Sequence, residues 1–392
     1  MAGIFTEMDV HYISPSTLPS RSANSVHVIH QTRALADTGA CVTLYACRSL
    51  PEEKELLPII ERQYGVAMSG VRLVSTFTGS CRGSNLRIAA LALPALFRVD
   101  KTALIISRNL YVSYVLAVFA RRPIICEIHD VEMGIRGRMQ RAIIRRPWVR
   151  TVTISEKLAE HLRKTHKTPL SNALILHDAA PSGIEPMPPG ERRQWLATLV
   201  SVAAEDWHGT CGYIGHLYPG RGMEIIEALA TMRPDVLFIV VGGQDADVRT
   251  YRSRNLAANL IFLGHMPHPQ AIRLASNLDV LLMPYQANVS IGLVGHDTAR
   301  WMSPMKMFEY LASGVPVISS DLPVLREVLR DGENCLLVSP SNPQDWAAAL
   351  DRLLVDKSLG ERLGMQGHAD YLAKHTWGQR ARRLLMAAET LK

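Results

Sequence analysis

Residues whose types and spacing suggest chemistry cluster late in the chain, in Ser303-Pro304-Met305-Lys306-Met307-Phe308-Glu309-Tyr310. Ser303 is suited to cap a helix and Pro304 to open it, which turns free backbone N–H groups toward an anion. Lys306 then falls in the first turn, where the helix dipole disfavours a cation, and a phosphate in front of it would reverse that penalty. Glu309 lies almost two turns in, among Met305, Phe308, Leu311 and Ala312. A part-buried carboxylate there needs donors, and ribose hydroxyls would supply them. Taken alone, the same pattern also describes a capped amphipathic helix with Lys306 and Glu309 in solvent.

Two further charge patterns stand out. Asp245-Ala246-Asp247 imitates an Asp-x-Asp metal motif, but it follows a Gly-Gly turn and reads more simply as a helix cap, so no metal is expected. Arg136, Arg138, Arg141, Arg145, Arg146 and Arg150, around Ile143, Ile144 and Trp148, form a basic amphipathic stretch suited to an anionic membrane surface. A solvated basic face is the plainer alternative.

The elements that must position these residues need room. At 392 residues the chain predicts two domains, and 47% hydrophobic with 20% charged residues describes ordered globular structure. A net charge of +7 and a pI near 9.1 call for an anionic partner without choosing among a nucleotide, a phospholipid surface and nucleic acid. Aromatic residues make up 6% and no nucleic-acid-binding module is recognisable, so nucleic acid is not expected as a partner. No GxGxxG follows a strand, which argues against a dehydrogenase. Six scattered cysteines without a CxxC pair read as reduced and structural. The first residues carry Glu7 and Asp9 rather than a basic, apolar leader, and the most apolar windows are too short or interrupted to span a bilayer. A cytoplasmic protein, peripheral to the membrane's inner face at most, is the expectation.

Apolar runs predict strands at 10–14, 42–46, 71–75, 103–107, 123–129 and 151–154, then at 210–214, 237–241, 260–263, 280–283 and 315–318, with helical spacing between them. Continuous apolar strands alternating with helices imply parallel sheets wound on both faces. The Pro- and Gly-rich stretch from Pro181 to Gly190 marks a boundary. The expected division is 1–185, a linker over 186–208, 209–375, and a C-terminal helix over 376–392 that returns to the first domain.

The segment SPMKMFEYLASGVPVISSDLPVLREVLRDGENCLLVSPSNPQDWAAAL resembles the donor-binding region of glycosyltransferase family 4. YIGHLYPGRGMEIIEAL, FIVVGGQ, LIFLGHMPH and LDVLLMPYQ extend the resemblance through the second half; SANSVHVIHQTRALADTGACVTLYA, SRNLYVSYVL, CEIHD and VTISEKLAEHL match the first half more loosely. The resemblance implies a GT-B fold: two Rossmann-like doubly wound α/β domains facing across a cleft. It also implies a retaining, metal-independent transferase that needs no cofactor beyond its nucleoside diphosphate sugar, UDP- or GDP-linked, and a glycan or lipid-linked acceptor in cell-surface polysaccharide or glycoconjugate synthesis. A nucleotide-sugar epimerase of the same fold is the alternative; a basic nucleic-acid-binding protein is a more distant one.

Residue by residue, the resemblance implies that Glu309 binds the ribose, that His216 and Arg221 stand where the family clamps the diphosphate, and that Gly264, His265 and Met266 meet the nucleobase. Ser303 and Lys306 complete the donor nucleotide site. His129 stands where a polar side chain faces sugar and acceptor, so His129, Arg221 and Lys306 are the expected catalytic groups. The family's second glutamate, eight positions before Glu309, is Trp301 here. His296, Asp297 and Trp301 are therefore the candidates for donor-sugar contact. Arg21, Ser22 and Asn24 replace the family's Gly-Gly loop before a helix N-terminus, facing the diphosphate or an anionic acceptor.

Overall fold

The computed structural model describes residues 8–52, 54–78, 83–181, 186–201, 207–254, 257–289, 297–389 and 391. The chain divides into two units, Met1–Ala179 with Thr376–Lys392, and Ala180–His375.

The first unit alternates strand and helix: β1 (Asp9–Leu18), α1 (Ala23–Ala36), β2 (Cys41–Arg48), α2 (Leu56–Tyr64), β3 (Val71–Phe77), α3 (Ser84–Leu96), β4 (Leu104–Ser107), α4 (Leu110–Tyr114), β5 (Ile124–Ile128), α5 (Gly134–Ile144), β6 (Val149–Thr153), α6 (Glu156–His166) and β7 (Ala173–Ile175). Its seven strands run in the order β3-β2-β1-β4-β5-β6-β7, with every pair parallel. The winding reverses between β1 and β4, and in such sheets ligands bind beyond the strands' carboxyl ends at that point.

The second unit repeats the plan with α7 (Pro189–Val200), β8 (Gly209–Ile214), α8 (Met223–Met232), β9 (Val236–Val241), α9 (Asp245–Arg254), β10 (Leu260–Gly264), α10 (His268–Ala275), β11 (Val280–Met283), α11 (Met305–Ser313), β12 (Val317–Ser320), β13 (Leu336–Val338), α12 (Pro343–Val355) and α13 (Lys357–Lys374). Its six parallel strands run β10-β9-β8-β11-β12-β13, reversing between β8 and β11. One face of the sheet packs Leu237, Ile239, Leu281 and Met283 against Phe308 and Leu311 of α11. The other packs Phe238, Val240 and Leu282 against Ile226 of α8 and Trp346 of α12. Strands apolar on both faces are thus sandwiched between helices, the arrangement parallel pairing demands. The last helix, α14 (Trp377–Glu389), belongs to the first unit, where it packs on α1.

Several elements differ from the sequence expectation. The chain changes unit at Ala179/Ala180, and the 186–208 stretch is not an open linker. It contains α7, which opens on Pro188 and Pro189 and buries Leu196 and Val200 in the second unit's core. Proline has the φ of a first helical turn, so a pair of them starts this helix instead of breaking the chain. The short edge strands β7 and β13 carry too few residues for a period to register. Helix α11 starts at Met305 with Pro304 in the cap position, and no side chain caps it, so Ser303 is not the expected cap.

Candidate functional site

In the second unit, the carboxyl ends of β8 and β11 and the start of α11 bring three basic side chains together. β8 is followed by Gly215 at φ +154°, where a Cβ would stand 2.7 Å from Lys306 Nζ. Gly220 at φ +83° lets the following turn approach Asn288 so closely that a Cβ would lie 1.9 Å from its carbonyl oxygen. These positions need glycine's access to positive φ and its lack of a side chain. The turn they bracket carries His216 and leads into Arg221.

Lys306 is 8% exposed, and its Nζ is buried without a hydrogen-bond partner among the described residues. It lies 3.7 Å from the ring centroid of Tyr213 and 5.1 Å from that of Tyr285. Burial, then the neighbouring Arg221, hold its ammonium well below the ordinary lysine range. The Arg221 guanidinium lies 5.2 Å over the Tyr285 ring and donates from Nη1 to the Tyr285 hydroxyl at 3.0 Å. Tyrosines fix the frame: Tyr213 donates to the His216 carbonyl at 2.6 Å, and Tyr310 accepts from Ile214 N at 2.8 Å. His216 stacks on Tyr218 at 4.8 Å. Burial, Arg221 and Lys306 push its pKa down to about 4, so it is a neutral imidazole near pH 7 rather than a second cation for phosphate.

Glu309 finds its donor within the protein: His268 Nε2 stands 2.7 Å from its Oε1. Gly264 closes β10, and its carbonyl accepts from Gly242 N at 2.7 Å; His265 is exposed and Met266 packs on the core. Asp297 serves its own loop, Oδ1 accepting from Val289 N at 2.8 Å and Ala299 N at 2.9 Å. Trp301 is half-buried and Ser303 is buried, while His296 lies outside the described residues. Asp247 Oδ2 accepts from Gln244 N at 3.3 Å, within the first turn of α9.

A cavity of about 200 Å³ opens at the opposite, amino-terminal edge of this sheet, lined by Arg192, Trp207, Thr210 and Asp279. The Asp279 carboxylate is already taken by Arg192 and by Thr210. The basic cluster therefore does not sit in this cavity.

The first unit holds a different arrangement, centred on Tyr12 of β1 and Glu127 of β5. Glu127 is fully buried: its Oε2 accepts from Tyr12 at 2.8 Å, while its Oε1 meets the Arg380 guanidinium of α14 and lies 3.2 Å from both His129 Nε2 and His27 Nε2. His27 Nδ1 in turn lies 2.8 Å from Asp178 Oδ1, and Arg380 also donates to Gln31 Oε1 at 2.6 Å and to the His177 carbonyl at 3.0 Å. Burial alone would raise the Glu127 carboxyl, but Arg380 and His27 hold it well below its ordinary value. Burial and Arg108 push His129 down to about 4. Ligand atoms of His27, Glu127 and His129 lie within 4.8 Å of one another, close enough for a metal, but the guanidinium of Arg380 already neutralises the carboxylate they would share.

In the expected anion loop, Ser22 caps α1, accepting from Ser25 N at 3.3 Å, and Asn24 Oδ1 is taken by Arg108; Arg21 is exposed. The basic stretch on α5 also differs from its reading. Ile143 and Ile144 are core residues, and the outward apolar side chains are Met133 and Ile135, 71% and 77% exposed. Arg138, Arg141 and Arg145 are exposed, whereas Arg136 pairs with Glu132. Among the described residues no helix is long and apolar enough to cross a membrane.

Sequence reasoning missed Tyr12, His27, Glu127, Asp178 and Arg380 in the first unit, and Tyr213, Tyr285 and His268 in the second. One signal was available: Trp377, Arg380, Ala381, Leu384 and Leu385 fall at helical spacing, which places an arginine on an otherwise apolar face.

Two parallel doubly wound units with such loops define a GT-B protein. The fold is that of HepE from Anabaena in complex with UDP and glucose, which superposes with a TM-score of 0.71 over 98% of this chain and 100% of that one at 15% identity. Sucrose-phosphate synthase from Thermosynechococcus elongatus gives 0.73 over 98% and 99% at 17% identity.

Residues 208–356, within the second unit, match the family model of glycosyl transferases group 1. A phosphatidyl-myo-inositol mannosyltransferase of Mycobacterium tuberculosis is 32% identical over 182 residues, 44% of each chain. A D-inositol 3-phosphate glycosyltransferase of Corynebacterium diphtheriae is 27% identical over 237 residues, 55% of this chain and 52% of that one. The matched region spans about half the length of these relatives or less.

Proposed function

We propose that the protein is a retaining glycosyltransferase that moves a hexose from a UDP- or GDP-sugar to a hydroxyl of a glycan or lipid-linked acceptor. The observation that carries this is Lys306: a buried basic group beside Arg221, with aromatic faces and no hydrogen bond or ion pair among the described residues. A buried basic group without a counter-charge is costly, and a diphosphate would supply one. The relatives are named for sugar transfer to inositol phosphate or its lipid, and HepE binds UDP and glucose; both fit the same reading.

In this mechanism Arg221 and Lys306 take up the charge that develops on the departing diphosphate, which is electrostatic catalysis without a required metal. Glu309 receives the ribose, and Gly264, His265 and Met266 border the base. His216, neutral when the site is empty, gains a reason to protonate as phosphate arrives. His129, held by Glu127, is the first unit's candidate for contact with the acceptor. The acceptor hydroxyl attacks the anomeric carbon on the face the diphosphate leaves, as the bond to the diphosphate oxygen breaks and that oxygen takes the hydroxyl proton, which preserves the anomeric configuration.

Thermal-shift measurements against a panel of UDP- and GDP-sugars test the donor. Stabilisation by at least one, lost in Lys306→Met, is expected; no shift with any member overturns the proposal. Product analysis with donor alone separates transfer from epimerisation, since an epimerase converts the donor to an isomer without acceptor.

The exposed Arg138, Arg141 and Arg145, with Met133 and Ile135, provide a basic and apolar surface for anionic lipid. Co-sedimentation with phosphatidylglycerol vesicles is expected to fall when the three arginines become alanine, and unchanged sedimentation overturns the membrane assignment.

A further inference from the structure

We infer that His268 is a positioning residue that locks Glu309 to receive a ribose diol, and so makes the site selective for ribonucleotides over deoxyribonucleotides. The inference rests on the nucleotide-sugar reading above and adds a residue that reading does not contain.

Glu309 on α11 and His268, the first residue of α10, are both largely shielded, with side chains 13% and 14% exposed. Their 2.7 Å contact joins Nε2 to Oε1. An ionised carboxylate only accepts hydrogen bonds, so the imidazole nitrogen facing it must carry the proton. The contact thereby fixes both the tautomer of His268 and the rotation of the Glu309 carboxylate.

Oε1 is thus engaged, whereas Oε2 makes no hydrogen bond among the described residues. A shielded carboxylate with one oxygen anchored and one open presents a directed set of acceptor lone pairs. A vicinal cis-diol, two O–H donors side by side, is the ligand that satisfies them. Anchoring from a separate helix matters because a free glutamate side chain loses rotamer entropy when it binds, a cost His268 has already covered. Removing either hydroxyl leaves an acceptor unpaired, and hydrogen bonds to charged groups are worth about 10- to 100-fold in affinity.

The test is calorimetric titration of the full chain with UDP and GDP and with their 2′-deoxy and 3′-deoxy counterparts. For whichever base binds, the wild type is expected to lose about tenfold or more with either deoxy ligand. In His268→Ala the ribonucleotide weakens and the deoxy penalty shrinks to within about threefold, while His268→Gln, which keeps an N–H donor, restores part of the penalty. A merely structural role would weaken all ligands equally and leave the ratio untouched. Melting temperatures of each variant confirm folding. An unchanged deoxy penalty in a folded His268→Ala protein that still binds nucleotide overturns this inference alone. Absence of a ribose preference in the wild type, or of any nucleotide binding, overturns the assignment of Glu309 as well.

Discussion

The two units bury charge in opposite ways. In the first, Glu127 is surrounded by Tyr12, His27, His129 and Arg380, so its charge is answered from within the protein. In the second, Lys306 and Arg221 share aromatic faces and no carboxylate pairs with either among the described residues. A closed network holds a shape and binds α14 to its unit; an open one stores an electrostatic demand that a ligand must meet. The contrast is the reason we propose the second unit as the place where an anion binds.

Breaking the closed network should have the largest effect. Arg380→Met leaves the buried Glu127 carboxylate without its main counter-charge and is expected to cost about 3–5 kcal/mol, read by urea unfolding. The opposite behaviour is expected of Lys306→Met. Ligand-free stability stays level or rises, because an unpaired buried basic group is removed, while nucleoside diphosphate affinity falls about 10- to 100-fold in calorimetry. Equal destabilisation by both variants would erase the distinction.

A smaller effect separates loop architecture from sugar recognition. Asp297→Ala removes the acceptor of Val289 N and Ala299 N and is expected to cost about 1–2 kcal/mol in unfolding experiments without ligand. An effect confined to donor binding would return Asp297 to the sugar site.

The histidines sharpen the comparison through pH. His129 and His216 both fall from the ordinary 6.5 to about 4 in the folded protein. Between those values the unfolded chain binds protons that the folded chain refuses, so stability present above about pH 6.5 is lost as pH falls toward 4. His129→Gln and His216→Gln should each flatten that loss by about 1 kcal/mol per pH unit or less, followed by denaturant midpoints across the range. Saturating nucleoside diphosphate should suppress the His216 contribution and leave that of His129.

Much of the architecture is legible in the residues alone. Strands buried on both faces announce themselves as continuous apolar runs, and spacing alone places α11 with its Lys306 and Glu309. Helix α7 escapes such reasoning, because Pro188 and Pro189 begin a helix as readily as they interrupt one. The α5 stretch misleads where Ile143 and Ile144 adjoin arginines, since a short helix offers the same residues to core or solvent until its neighbours are known. The role of Asp297 is invisible in the sequence because its partners are backbone amides, which carry no sequence signature.

The sequence by itself determined two parallel doubly wound units, a helix carrying a cation where the dipole opposes it, and a family resemblance. Periodicity, glycine and proline are local and survive without a partner. The tertiary structure alone decided which groups pair: Arg380 with Glu127 across 253 residues, His268 with Glu309 across 41, and no hydrogen-bond partner within the described residues for Lys306. Those pairings depend on which strand and helix ends the crossovers bring together, and burial then multiplies the consequence of being paired or left open.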